Sequence, residues 1–226
     1  MPGADEAKRA VGSAAVDRYV RDGACIGLGT GTTARWAIER VGERVAAGEQ
    51  IVAVATSVQT EILCRAHAIP LVPLGERAID VAIDGADEVA ADRALTKGAG
   101  GALFREKAVA LAARLFVVIV TPEKVVRRLG AFPTPVEVVP FSADVVGPAI
   151  AAAHGARVTR RMTDDETPYV TDNGNVILDC AFGEIPDPVA LDAALRRIHG
   201  VVATGLFAPA LVGAVLVAQP DGVREL

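Results

Sequence analysis

Asp84 and Asp87, with Lys97 ten residues further and Glu106 nine beyond that, are residue types that can carry protons between carbon and oxygen atoms of a small molecule. They lie in A-I-D-V-A-I-D-G-A-D-E-V and in L-T-K-G-A-G-G-A-L-F-R-E-K, separated by a short polar interval. Ile79, Val81 and Ile83 alternate with a period of two, which predicts a strand ending in the charged cluster Asp84, Gly85, Asp87 and Glu88. Acids at such a tip are expected to face a site. Lys97 precedes a glycine-bearing turn of Gly98, Gly100 and Gly101, and a helix is expected to open near Ala102 with Glu106 close to its first turn.

That helix carries an anomaly. Phe104, Ala108, Leu111 and Leu115 form one apolar stripe, and Leu103, Ala110 and Ala113 form a second that also contains Glu106. An acid among small apolar side chains loses water, which raises a carboxyl pKa toward the range of a general base, while a nearby lysine pulls it back. A first-turn glutamate can also be an exposed residue favoured by the helix dipole. Joined to Asp84, Asp87 and Lys97, the proton-transfer reading is the stronger.

A second feature is A-C-I-G-L-G-T-G-T-T-A, a short strand running through Gly27, Gly29 and Gly31 into a helix from about Thr33 to Ala46. Gly29, Gly31 and Ala34 satisfy the dinucleotide pattern G-x-G-x-x-G/A. The acid that should follow at the end of the next strand is replaced by Thr56, Ser57 and Val58. Hydroxyl and N–H donors of Thr30, Gly31, Thr32 and Thr33 at a helix N-terminus suit a phosphate instead. A plain tight turn without ligand is the alternative. No G-x-x-x-x-G-K-[ST] occurs, which argues against a nucleoside triphosphate.

The positioning elements follow. In 226 residues, strand and helix patterns alternate as far as Val120, which predicts a Rossmann-like, mostly parallel sheet with helices on both faces. Ligands in such sheets bind beyond the carboxyl ends of strands, where the Gly29 loop, the Ser57 turn and the Asp84 cluster all fall. Pro133, Pro135 and Pro140 mark a change near residue 130. Beyond it the order reads βαββαβ, with Asn173-Gly174 as a hairpin turn, so a smaller ferredoxin-like α+β domain is expected over 131–207. Residues 1–130 and 208–226 form the catalytic domain in this division, with Leu211 to Gln219 as a strand rejoining the first sheet.

Formal net charge is -5 and only 4% of residues are aromatic, which gives no footprint for nucleic acid. No apolar run approaches the ~20 residues of a membrane span, and the polar N-terminus lacks a signal-peptide core. Cys25, Cys64 and Cys180 read as core residues of a reducing, cytoplasmic compartment. His67, His154 and His199 are scattered, so no metal is expected. Lys8 reads most simply as a solvated lysine. The expected partner is a small molecule.

Taken together, G-T-G-T-T-A, D-G-A-D-E, K-G-A-G-G-A-L-x-R-E-K, F-P-x-P-V-E-V and T-D-N-G-N-V-I-L-D resemble ribose-5-phosphate isomerase of the A type, from about Lys8 to Asp221. The resemblance implies interconversion of D-ribose 5-phosphate and D-ribulose 5-phosphate in the pentose phosphate pathway without a cofactor, by a homodimer or homotetramer. It implies Glu106 as the base between C2 and C1, Asp84 and Asp87 near the sugar hydroxyls, and Lys97 beside the oxyanion. It further implies substrate binding by Thr30 to Thr33, by Gly85 and Ala86, by Gly98, Ala99 and Gly100, and by Lys124 and Lys8. Ala99 and Gly101 depart from relatives in which glycine and alanine are exchanged. Two other readings are an amino-sugar phosphate deaminase of the same architecture and a non-catalytic sugar-phosphate sensor. A sensor has no use for Glu106 in an apolar stripe.

Overall fold

Short β-branched runs separated by segments of helical period fold into three sheets in the structure, a computed structural model that describes residues 3–226. In chain order the elements are α1 (Ala4–Tyr19), β1 (Cys25–Leu28), α2 (Ala34–Ala46), β2 (Val52–Ala55), α3 (Val58–Ala66), β3 (Val81–Asp84), β4 (Glu88–Val89), β5 (Leu95–Thr96), α4 (Leu103–Ala112) and β6 (Phe116–Val120). They continue with β7 (Thr134–Val138), α5 (Ala143–His154), β8 (Arg157–Arg160), β9 (Val176–Ala181), α6 (Pro188–Leu195), β10 (Val201–Thr204), β11 (Leu206–Phe207), β12 (Ala214–Gln219) and β13 (Gly222–Glu225).

The chain divides into two compact units. The first takes in residues up to Ala86, Arg105–Val125 and Ala210–Leu226. Its six-stranded sheet has the order β13-β12-β6-β3-β1-β2, parallel throughout except for the β12–β13 hairpin at one edge. Side chains alternate across a strand. Ile26 and Leu28 of β1 therefore face one side, where they share a core with Val11, Val16, Ile38, Val41 and Cys64 from α1, α2 and α3. Gly27 faces the other side, against Val109 of α4. Helices thus cover both faces, as the alternating pattern predicts. Phe116 to Val120 is buried throughout, which is why β6 reads as an unbroken apolar run. The strand expected from Leu211 is β12, and β13 extends the edge beyond it.

The second unit comprises Asp87–Phe104 and Val126–Pro209. Its four-stranded sheet runs β10-β7-β9-β8, all antiparallel, which is the split βαβ arrangement read from the βαββαβ order. Residues 87–104, which the sequence boundary near 130 assigned to the first domain, group here because β4 and β5 pair with β11 in a separate three-stranded sheet. The apolar run Val201 to Phe207 forms two strands, broken at Gly205. A Cβ at Gly205 would overlap the carbonyl oxygen of Lys97, so glycine is required for that turn.

The apolar run Ile69 to Leu74 forms no continuous strand. Pro70 and Pro73 have no N–H to give a ladder, and Leu71 makes an isolated bridge to Ala53. Tyr169 to Thr171 contributes one bridge, Val170 to Val176. Helix ends follow their chemistry: Ser57 accepts the Thr60 N–H at the start of α3, Asp187 accepts that of Ala190 in α6, and Gly155 closes α5 in the left-handed region at φ 65°.

All three cysteines are free and buried. Burial pushes the Cys25 thiol up, and it pushes Cys64 and Cys180 up to about 12. At pH 8, iodoacetamide is expected to leave the native protein unmodified and to alkylate all three thiols in guanidinium, read by intact mass. Native labelling of Cys64 or Cys180 contradicts the burial. Unfolded thiols ionise near 8.5, so this contribution to stability is full below that pH and is lost as pH rises toward about 12.

Candidate active site

In the first unit the chemistry collects at the carboxyl ends of β1, β2 and β3. Gly29 packs so tightly on Asp84 that a Cβ on Gly29 would overlap the Asp84 carboxylate. The Thr30 N–H donates to Asp84 Oδ1 at 3.1 Å and the Gly85 N–H donates to the same oxygen at 2.7 Å. Thr30 Oγ1 lies 2.9 Å from Thr56 Oγ1, 2.8 Å from Ser57 Oγ and 3.1 Å from Thr60 Oγ1. The three segments expected to converge therefore do so. Thr30, expected among the ligands, turns its hydroxyl into this internal network instead.

The rest of the turn is open. Gly31 sits at φ 111° with no atom near the place of a Cβ, Thr32 is exposed, and Thr33 precedes α2 without using its hydroxyl as a cap. The first N–H groups of α2 and these two hydroxyls form a donor set suited to an anion. Lys124 follows β6, and its charge acts with that of Lys8 on Glu123. Burial alone would push the Glu123 carboxyl up, but the Thr121 hydroxyl, the Glu123 N–H, Lys124 and Lys8 together hold it below its ordinary value.

Glu106 is 5% exposed, beside Leu103, Val109 and Ala110, which are also buried. Gly27 makes this possible. A side chain there would collide with Val109 and Ala82, so its absence lets α4 approach the sheet one turn beyond Glu106. The bridge between Ile79 and Ala113 and the Arg114 N–H to Ile79 carbonyl bond fix the other end of the segment. The second stripe, containing Glu106, is the buried one; Phe104 and Leu111 of the first stripe are exposed.

In the second unit, Lys97 is 2% exposed, with its Nζ 5.7 Å from the centre of the Phe207 ring. Its backbone N–H donates to the Gly205 carbonyl at 2.8 Å. Asp87 Oδ2 accepts the Ala99 N–H at 2.9 Å, tying the acid to the glycine turn. Gly98 and Gly101 adopt φ 108° and 78°, and a Cβ on Gly101 would strike the Tyr169 ring. Alanine is tolerated at 99 and glycine is required at 101, which settles the departure noted in the sequence.

Glu88 does not face the site. Adjacent residues on β4 point to opposite sides, and its buried carboxylate accepts the Thr96 hydroxyl at 2.9 Å and the N–H groups of Gly130, Ala131 and Phe132 at 3.0, 2.9 and 2.9 Å. It braces that loop. Sequence reasoning missed Thr60, Phe207, Arg161 and Tyr169, none of which stands in a glycine-rich or acidic motif. Among the described residues, no group of three or more His, Cys, Asp or Glu side chains is placed to hold a metal ion.

A sequence model of the ribose 5-phosphate isomerase A (phosphoriboisomerase A) family matches residues 52–222. The chain is 46% identical over 220 residues to ribose-5-phosphate isomerase A of Parvibaculum lavamentivorans, covering 93% of this chain and 95% of that one. It is 44% identical over 227 residues to the enzyme of the same name from Thermosynechococcus vestitus, covering 97% and 95%. Among solved structures, ribose 5-phosphate isomerase A from Methanocaldococcus jannaschii aligns with a TM-score of 0.94 at 39% identity over 99% of each chain. A D-ribose-5-phosphate isomerase solved in complex with phospho-erythronic acid aligns with a TM-score of 0.96 at 36% identity, over 100% of this chain and 99% of that one. With the relatives matched along almost their whole length, this chain belongs to the ribose 5-phosphate isomerase A family.

Proposed function

We propose that this chain interconverts D-ribose 5-phosphate and D-ribulose 5-phosphate by proton transfer through an enediolate, with Glu106 as the base. The observation that carries the assignment of the base is the burial of that carboxylate on the small-residue face of α4. A structural neighbour at 36% identity binds phospho-erythronic acid, a four-carbon phosphorylated acid whose planar carboxylate imitates an enediolate. Glu106 takes the proton from C2 of the opened aldose, negative charge develops on O1, and the same proton is returned to C1 as O2 becomes the ketone oxygen.

Each remaining role follows from chemistry. The ammonium of Lys97, buried beside an aromatic face, suits the charge on O1. Asp84, held by two N–H donors, and Asp87, held by one, are suited to the sugar hydroxyls, to ring opening and to the proton exchanged between O2 and O1. Gly31, Thr32 and Thr33, with Lys124 and Lys8, bind the phosphate, while Thr30 ties that turn to Asp84. Gly85, Ala86, Gly98, Ala99 and Gly100 supply backbone around the sugar. The first unit is the catalytic domain and the βαββαβ unit a smaller one. A homodimer or homotetramer is part of this reading, supported by the 99% exposure of Phe141. So is a cytoplasmic setting, supported by three free thiols.

Glu106→Gln should reduce kcat on ribose 5-phosphate by roughly 10²–10⁴-fold with KM within about tenfold, because a base is lost and little ground-state binding goes with it. Full activity in that variant would sink the assignment. Lys97→Ala should depress kcat by about 10²–10³-fold, far more than it raises KM. A pure KM effect would reassign Lys97 to ground-state binding. Free ribose should be turned over at least about tenfold less efficiently than the ester in both kcat and kcat/KM, because phosphate contacts orient C1 and C2 toward the base. Thr32→Ala with Thr33→Ala should narrow that gap, and an unchanged ratio would return the loop to a plain turn.

A further inference from the structure

We propose that Arg161 is a positioning residue for the Lys97–Gly100 turn, setting the peptide planes that orient Asp87 and present backbone N–H groups to substrate. The proposal rests on the function assigned above. Arg161 follows β8, and its own backbone N–H donates to the Ile177 carbonyl at 2.8 Å, so its position is fixed by the sheet. Its Nε and Nη2 donate to the two oxygens of Asp179 at 2.9 and 2.5 Å. The remaining nitrogen, Nη1, donates to the carbonyl of Gly98 at 2.8 Å and to that of Ala99 at 3.0 Å. The Tyr169 ring packs on the guanidinium at 5.9 Å, and its hydroxyl donates to the Gly100 carbonyl at 3.3 Å. Three consecutive carbonyls are thus held by one Arg–Asp–Tyr cluster, of which Arg161 and Asp179 have side chains only 14% and 25% exposed.

What this does to the turn follows from peptide geometry. None of the peptide bonds is cis among the described residues, so the carbonyl and the N–H of each unit point in opposite directions. The peptide joining Gly98 to Ala99 gives its carbonyl to Arg161 and its N–H to Asp87 Oδ2 at 2.9 Å, which makes it a rigid strut between the guanidinium and the acid. The next peptide gives the Ala99 carbonyl to the same Nη1, so the N–H of Gly100 also points away from Arg161, on the exposed side of the turn. A lysine could not do this. Only a planar fork can take a carboxylate on one edge and two carbonyls with the remaining nitrogen.

The test compares wild type with Arg161→Met, Arg161→Lys, Asp179→Asn and Arg161→Ala on ribose 5-phosphate, with Tm measured for each. Arg161→Met and Arg161→Lys should lose about a hundredfold in kcat, with KM changed less than about threefold and Tm above the assay temperature. Methylguanidinium added to Arg161→Ala should restore at least about tenfold of the lost rate. In a cycle with Asp87→Asn, the two losses should overlap instead of multiplying. Wild-type kcat in Arg161→Lys, no rescue in a folded Arg161→Ala, or losses that multiply fully would overturn the proposal. If the Arg161 variants do not fold, Asp179→Asn decides: a loss of about tenfold in kcat at unchanged Tm supports it, and an unchanged kcat overturns it. If wild type itself does not turn over ribose 5-phosphate, the functional reading fails separately. Hydrogen exchange of residues 97–101 then decides the positioning role, with faster exchange in Arg161→Met expected and unchanged exchange contradicting it.

Discussion

The backbone of Gly29 and the carboxylate of Asp84 occupy neighbouring space that leaves no room for a side chain on Gly29. Much of the first unit's chemistry depends on this approach. It places the Gly29 N–H on the Ile83 carbonyl and the Thr30 N–H on Asp84, so the end of β1 is registered against the end of β3 by the same atoms that orient the acid. Once Thr30 is fixed there, its hydroxyl falls among Thr56, Ser57 and Thr60, which draws the end of β2 to the same point. Gly27, two residues earlier, has the complementary task on the other face, where it admits the helix that carries Glu106. One strand of four residues therefore sets both the anion turn and the depth of the base.

Buried acids divide by what surrounds them. Glu88 accepts four hydrogen bonds and Glu137 accepts three on one oxygen, from Thr171, Asn173 and Asn175, so both are consumed in holding loops. The Glu137 set explains why T-D-N-G-N stands out in the sequence: the motif is a hairpin whose polar side chains fold back onto one carboxylate. Glu106 is buried on the face of α4 that also carries Val109 and Ala110.

The parallel sheet, the βαββαβ order and the convergence of the Gly29, Ser57 and Asp84 segments were legible because each rests on a local period or on glycine and proline placement. Glu106 was legible for the same reason, since a charged residue breaks an otherwise apolar stripe. The role of Glu88 was not, because a single residue of parity separates it from Asp87 and only the pairing of β4 with β5 fixes which way each points. The apolar run Ile69 to Leu74 makes only isolated bridges, because Pro70 and Pro73 have no N–H to give a ladder. Arg161 was invisible for a deeper reason: its partners lie 18 residues ahead at Asp179 and more than 60 behind at Gly98, and no local pattern encodes a contact at that range.

The division of the chain into units has a consequence for its birth on the ribosome. The chain passes from one unit to the other after residues 86, 104, 125 and 209, and β12, near the C-terminus, lies between β6 and β13. Until residues 214–219 are synthesised, β6 has a partner on the β3 side only. Its sequence F-V-V-I-V, buried on both faces in the finished protein, would then stand as an open apolar edge in the nascent chain. Completion of the sheet waits for residues 214–219, which follow β6 only after the second unit has been made, so this pairing closes a long loop and forms more slowly than one between consecutive strands.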